Sequence, residues 1–136
     1  MMAPDQRGFS LMEVIVATVV ATVAVIGLAY SFGMGRAFID RFEVGRIALA
    51  TAQAKMESLT VVPPGDPELA LGTHPSSPIP FTWQGRQVGS ESWTVAAFDD
   101  PGVAGGDDLR RVTVRVMWRV GALNDTVLIS RLFPKP

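Results

Sequence analysis

Val14 to Gly35 reads VIVATVVATVAVIGLAYSFGMG, 22 consecutive residues without a charge. As an α-helix rising 1.5 Å per residue, it would run roughly 33 Å, close to the hydrocarbon thickness of a bilayer. A secretory signal has a shorter apolar core and a small-residue cleavage site directly behind it. Here Arg36, Ala37 and Phe38 follow instead. A buried core helix fails on size, because a chain of 136 residues can hardly surround so long an apolar helix on every face. The stretch therefore predicts a membrane-spanning helix.

Downstream the pattern changes but no helix breaker appears. No proline lies between Asp5 and Val62. Apolar or small residues fall at Phe38, Phe42, Gly45, Leu49, Ala52, Met56 and Leu59. Those alternating steps of four and three draw one stripe along an α-helix. Arg36, Asp40, Glu43, Arg46, Gln53 and Glu57 occupy the other faces, with Arg36 and Asp40 spaced to pair. The spacing predicts one helix from about Ser10 to Leu59, roughly 75 Å long. Its first half is apolar all round, and its second half needs a partner surface.

That surface is written in the C-terminal half. Val61–Pro80 holds six of the ten prolines and two of the glycines, so a surface loop is expected there. Strand candidates follow at Phe81–Trp83, Gln87–Val88, Ser92–Phe98, Arg110–Val120 and Thr126–Phe133. In the fourth, Val112, Val114, Val116, Trp118 and Val120 alternate with Arg111, Thr113, Arg115, Met117 and Arg119. Period two with one apolar face marks a half-buried antiparallel strand. Gly121–Asp125 supplies turn chemistry, so the last two strands should form a hairpin. The expected fold is α+β: a long N-terminal helix whose amphipathic half packs on a small antiparallel sheet.

Composition removes whole classes of function. Twelve basic side chains face 13 acidic ones, against the basic surplus usual in nucleic-acid binders. The absence of cysteine excludes disulfides, thiolate metal sites and a cysteine nucleophile. No phosphate-binding glycine loop is present, so no nucleotide cofactor is expected.

Ahead of the apolar run stands Arg7-Gly8-Phe9-Ser10-Leu11-Met12-Glu13. This register of glycine, phenylalanine and glutamate before a full-length apolar helix resembles the processing site of type IV prepilins and of type II secretion pseudopilins. The resemblance is close over Gly8 to about Leu59 and looser over the strand-rich remainder, where it implies the pilin fold. It implies a leader of residues 1–8, a transmembrane and assembly helix over 9–35, and a head over 36–136. It further implies cleavage after Gly8 by a prepilin peptidase that also methylates Phe9. Glu13 would then pair with the freed α-amino group of a neighbouring subunit.

Each residue also has a plain physical reading. Gly8 without a side chain fits an extended backbone in a protease cleft, or an ordinary loop. Ser10 suits a helix N-cap. Glu13 sits where the positive helix terminus favours a carboxylate, although the edge of an apolar segment disfavours one. Basic residues point the other way from the family on orientation: Arg36, Arg41 and Arg46 follow the segment, and only Arg7 precedes it. The resemblance implies a periplasmic head, and that is the orientation expected.

Within the family, the lack of cysteines departs from the usual major pilins, while the small head, the alanine-rich Ala48–Leu59 and the closing pair of strands with tryptophan are similar to minor pilins of the pilus-modification type. They are similar also to the second minor pseudopilin of type II secretion. The implied function is structural, not enzymatic: a subunit priming a filament tip, anchored in the inner membrane before assembly. Its implied partners are the prepilin peptidase and methylase and other pilins or pseudopilins, with no nucleic acid expected. The competing reading is a single-pass protein with a small periplasmic binding domain that never polymerises. His74 alone supports no catalytic triad and is expected as a solvated loop residue. Asp99, Asp100, Asp107 and Asp108, set among glycines, are weak calcium candidates matching no EF-hand, and a solvated loop is the plainer expectation.

Overall fold

The computed structural model describes residues 10–100, 102 and 109–135. One helix, α1, runs over Leu11–Thr60. Ser10 caps it, its Oγ accepting the Met12 backbone N–H at 3.3 Å, one of the donors that a helix start leaves unpaired. Pro63 and Pro64 end the path, since the residue before a proline is driven from helical geometry.

Four strands follow: β1 (Gly72–Trp83), β2 (Arg86–Phe98), β3 (Leu109–Val120) and β4 (Leu123–Pro134). They form one antiparallel sheet in the order β1-β2-β3-β4. This is the expected α+β architecture, a long apolar N-terminal helix packed on a four-stranded antiparallel sheet, and it is pilin-like. Two tight turns set the register. Gln84 and Gly85 both take positive φ, 48° and 73°, which twists the β1–β2 hairpin correctly. Gly121, with φ 63°, starts the two-residue β3–β4 turn. That turn is shorter than Gly121–Asp125, and Leu123, Asn124 and Asp125 already belong to β4.

The chain forms two compact units, Met1–Ile39 and Asp40–Pro136. In the first, every described helical residue is exposed. Thr18 and Thr22 place their hydroxyls on the carbonyls of Val14 and Thr18, at 2.7 and 2.8 Å. Polar groups in an apolar stretch are thereby satisfied within the helix, as a hydrocarbon environment demands.

In the second unit, Val44, Ala48, Ala52, Met56 and Leu59 of α1 are buried with Trp93, Val95, Val112, Val114, Val116 and Trp118 of the sheet. The alternation along β3 holds as expected, with Arg111, Arg115 and Arg119 exposed on the other face. The helical stripe is only partly as expected. Ala52, Met56 and Leu59 are buried, but Phe42 and Leu49 remain 73% and 42% exposed. The sheet supplies the bulky Val and Trp side chains, so the helix meets it through alanines that allow close approach.

The proline-rich stretch is the larger correction. Only its first part is a loop, and that part is tied down. Asp66 caps a short 3-10 turn, Trp93 Nε1 donates to the Glu68 carbonyl at 2.9 Å, and Arg110 donates to the Leu69 carbonyl. From Gly72 onward it is β1, an edge strand whose register shifts between His74 and Ile79. Prolines are tolerated there because an edge strand leaves alternate backbone groups unpaired by the sheet. Gly89 is required by close packing: a Cβ there would collide with the Met117 carbonyl and lie 2.7 Å from Trp118 Cα.

Candidate assembly helix and neighbouring sites

The first turn of α1 carries Glu13, exposed, with its backbone N–H bonded to the Ser10 carbonyl at 3.0 Å. Two shallow grooves along this helix share Glu13, Ala17 and Ala21 as a common wall. These residues lie four apart and so stand above one another on one face. A carboxylate followed by a row of methyl-sized side chains lets another apolar helix approach closely beside the acid. In such a dry contact the acid would attract a cationic partner far more strongly than in water. Gly8 and Phe9 lie outside the described residues.

The acidic segment is only partly described. Asp100 Oδ1 accepts the Gly102 backbone N–H at 2.9 Å, an Asx-type turn, and Asp99 is exposed. Asp107 and Asp108 lie outside the described residues. Among the described residues, no three His, Cys, Asp or Glu side chains gather as a metal site would need.

His74 is not the solvated loop residue expected. It belongs to β1, stacks on Trp93 with ring centroids 5.9 Å apart, and its Nε2 donates to the Ala70 carbonyl at 2.8 Å. The edge strand and the neighbouring indole hold it in place.

Two charged features escaped the sequence reading. Arg41, rather than Arg36, pairs with an acid, reaching Asp125 of β4 at 3.0 Å. That contact, with the Thr126 backbone N–H, holds the Asp125 carboxyl below the usual aspartate range. Glu91 is the second, only 8% exposed on the helix-facing side of β2. Burial pushes its carboxyl above the usual glutamate range, and Lys55 partly opposes the shift. Lys55 itself bonds Glu68 at 3.2 Å and lies 3.9 Å over the Trp93 ring. The signal for Glu91 was its phase: it shares a β2 face with Trp93 and Val95, which only an accurate strand start would have revealed.

Residues 4–29 match a family model described as the prokaryotic N-terminal methylation motif. No curated protein and no solved structure matches the chain. The matched segment spans Gly8, Phe9 and Glu13 and runs into the helix that is long and apolar enough to cross a membrane. Together the motif and the helix support a type IV pilin-like or pseudopilin subunit, anchored to a membrane by its N-terminal helix.

Proposed function

We propose that this protein is a minor pilin-like structural subunit, cut after Gly8 by prepilin peptidase, N-methylated at Phe9 and assembled into a type IV pilus. The carrying observation is register: the methylation motif over residues 4–29 ends inside a helix that begins at Leu11 with Glu13 in its first turn. Before assembly the apolar half of α1 holds the subunit in the inner membrane, with the head in the periplasm. During assembly the helix exchanges lipid for neighbouring pilin helices. That exchange needs little free energy because both surroundings are apolar, and the Glu13–Ala17–Ala21 face accepts a close neighbour. Glu13 then pairs with the new α-amino group of the adjacent subunit's Phe9. A place at the filament tip, priming assembly, fits a small head without cysteines.

Mass spectrometry of the membrane-extracted chain tests this directly. A mature N-terminus at methylated Phe9 is expected, and an intact leader would overturn the reading. Glu13→Ala should be cleaved normally yet be absent from sheared filaments. Its incorporation at the wild-type level would remove the assembly role.

A further inference from the structure

At the end of the sheet where both tight turns lie, Trp83, Gln84, Arg86 and Gln87 of the β1–β2 hairpin face Arg119 across a concavity of about 440 Å³, backed by Val88. That volume lies within the usual range for small-molecule pockets, and it is large for a bare inorganic anion. Arg86 and Arg119, from different hairpins, both line it, and neither has a carboxylate partner among the described residues. Arg119 is held by its Nε bond to the Gly121 carbonyl at 3.1 Å. No acidic residue lines the pocket. Such an arrangement attracts an oxyanion, because planar guanidinium groups match carboxylate geometry.

The rest of the lining narrows the class. Gln84 and Gln87 each bring an amide donor and acceptor, suited to hydroxyl groups. Trp83 brings a half-buried indole to the wall. Carboxylate, hydroxyls and a compact apolar ring face occur together in an acidic sugar. A nucleic acid fits less well: the pocket offers a single half-buried aromatic for base stacking.

We propose that this pocket binds a uronic-acid unit of an acidic saccharide, with Arg86 and Arg119 on the carboxylate and the two glutamines on ring hydroxyls. The site does not depend on whether the subunit polymerises.

The test uses the full-length protein in detergent at 0.15 M salt, titrated with trigalacturonate and followed by tryptophan fluorescence and calorimetry. Saturable binding is expected, with no binding of the neutral methyl ester of the same trisaccharide. Arg86→Gln with Arg119→Gln should weaken binding by about tenfold or more, at unchanged melting temperature. Arg111→Gln with Arg115→Gln should change it less than about twofold. Arg115 lies roughly 13 Å from Arg119 along the strand, beyond the screening length at this salt. Absence of saturable binding, equal affinity in the Arg86/Arg119 variant, or equal loss in the Arg111/Arg115 variant would each overturn the proposal. Tighter binding of a single-stranded DNA hexamer, lost in the Arg86/Arg119 variant, would overturn the sugar assignment.

Discussion

Residues 11–39 and 40–60 belong to one helix with one hydrogen-bonding pattern, yet their apolar side chains have different surroundings. In the first part every residue is exposed, valines, isoleucines and leucines included. In water, each such side chain would forgo about 1.5–3 kcal/mol of burial. In the second part, Val44, Ala48, Ala52, Met56 and Leu59 are buried against the sheet and charged residues take the remaining faces. The lesson is that helix formation distinguishes nothing here. What differs is what covers the apolar surface: the protein's own sheet over residues 40–60, and nothing among the described residues over residues 11–39.

The sharpest way to break that comparison is truncation. Residues 40–136 should give a cooperative melt and dispersed amide NMR spectra. Residues 61–136, stripped of the five helical core residues, should give neither. A folded 61–136 fragment would mean that the sheet does not need the helix.

Point substitutions repeat the contrast at smaller scale. Leu59→Ala, at a fully buried position, should destabilise the head by about 2–5 kcal/mol in chemical denaturation. Leu28→Ala, exposed in the first part, should leave head stability within about 0.5 kcal/mol of the wild type.

Smaller again is the effect of Glu91. Its folded-state carboxyl holds a proton to higher pH than the 4.5 of an ordinary glutamate. The folded protein therefore binds more protons than the unfolded chain above pH 4.5. The stability this contributes is fully present below 4.5 and is lost as pH rises through the raised value. Glu91→Gln should flatten the pH dependence of the melting temperature above pH 4.5 and raise the melting temperature toward the alkaline end of that range. Denaturation curves across that range check both.

The smallest effect belongs to Asp125. Its side chain is 39% exposed and that of Arg41 is 42% exposed, so solvent and salt screen the pair. Because the folded carboxyl is shifted below 3.8, its contribution is present above that pH and lost as pH falls through the lowered value. Asp125→Asn should lower the melting temperature slightly at pH 7 in low salt, with the difference vanishing in 1 M salt.

Much of the architecture was legible because its signals are local. Twenty-two uncharged residues, a proline-free span and the Val112–Trp118 alternation are each decided within a few turns or one strand. The methylation motif is likewise a short linear register, Gly8-Phe9 to Glu13. Legibility failed where the deciding neighbour was distant. Gly72–Pro80 reads as loop from its prolines, and it is a strand only because β2 offers pairing while the other side of β1 stays open. His74 gains its place from Trp93, 19 positions away. The Arg86–Arg119 pocket needs two hairpins to end side by side.

By itself, then, the sequence determined a membrane-length helix, its amphipathic continuation and a sheet with one apolar face, because period and composition act over neighbouring residues. Tertiary structure decided the phase of that continuation. It buries Val44 and Ala48 and leaves Phe42 and Leu49 outside, because the small side chains let the helix close on a sheet already filled with valine and tryptophan. It also decided that β1 is the edge and that Glu91 is enclosed, since both depend on which strand lies beside which, and no local period encodes that.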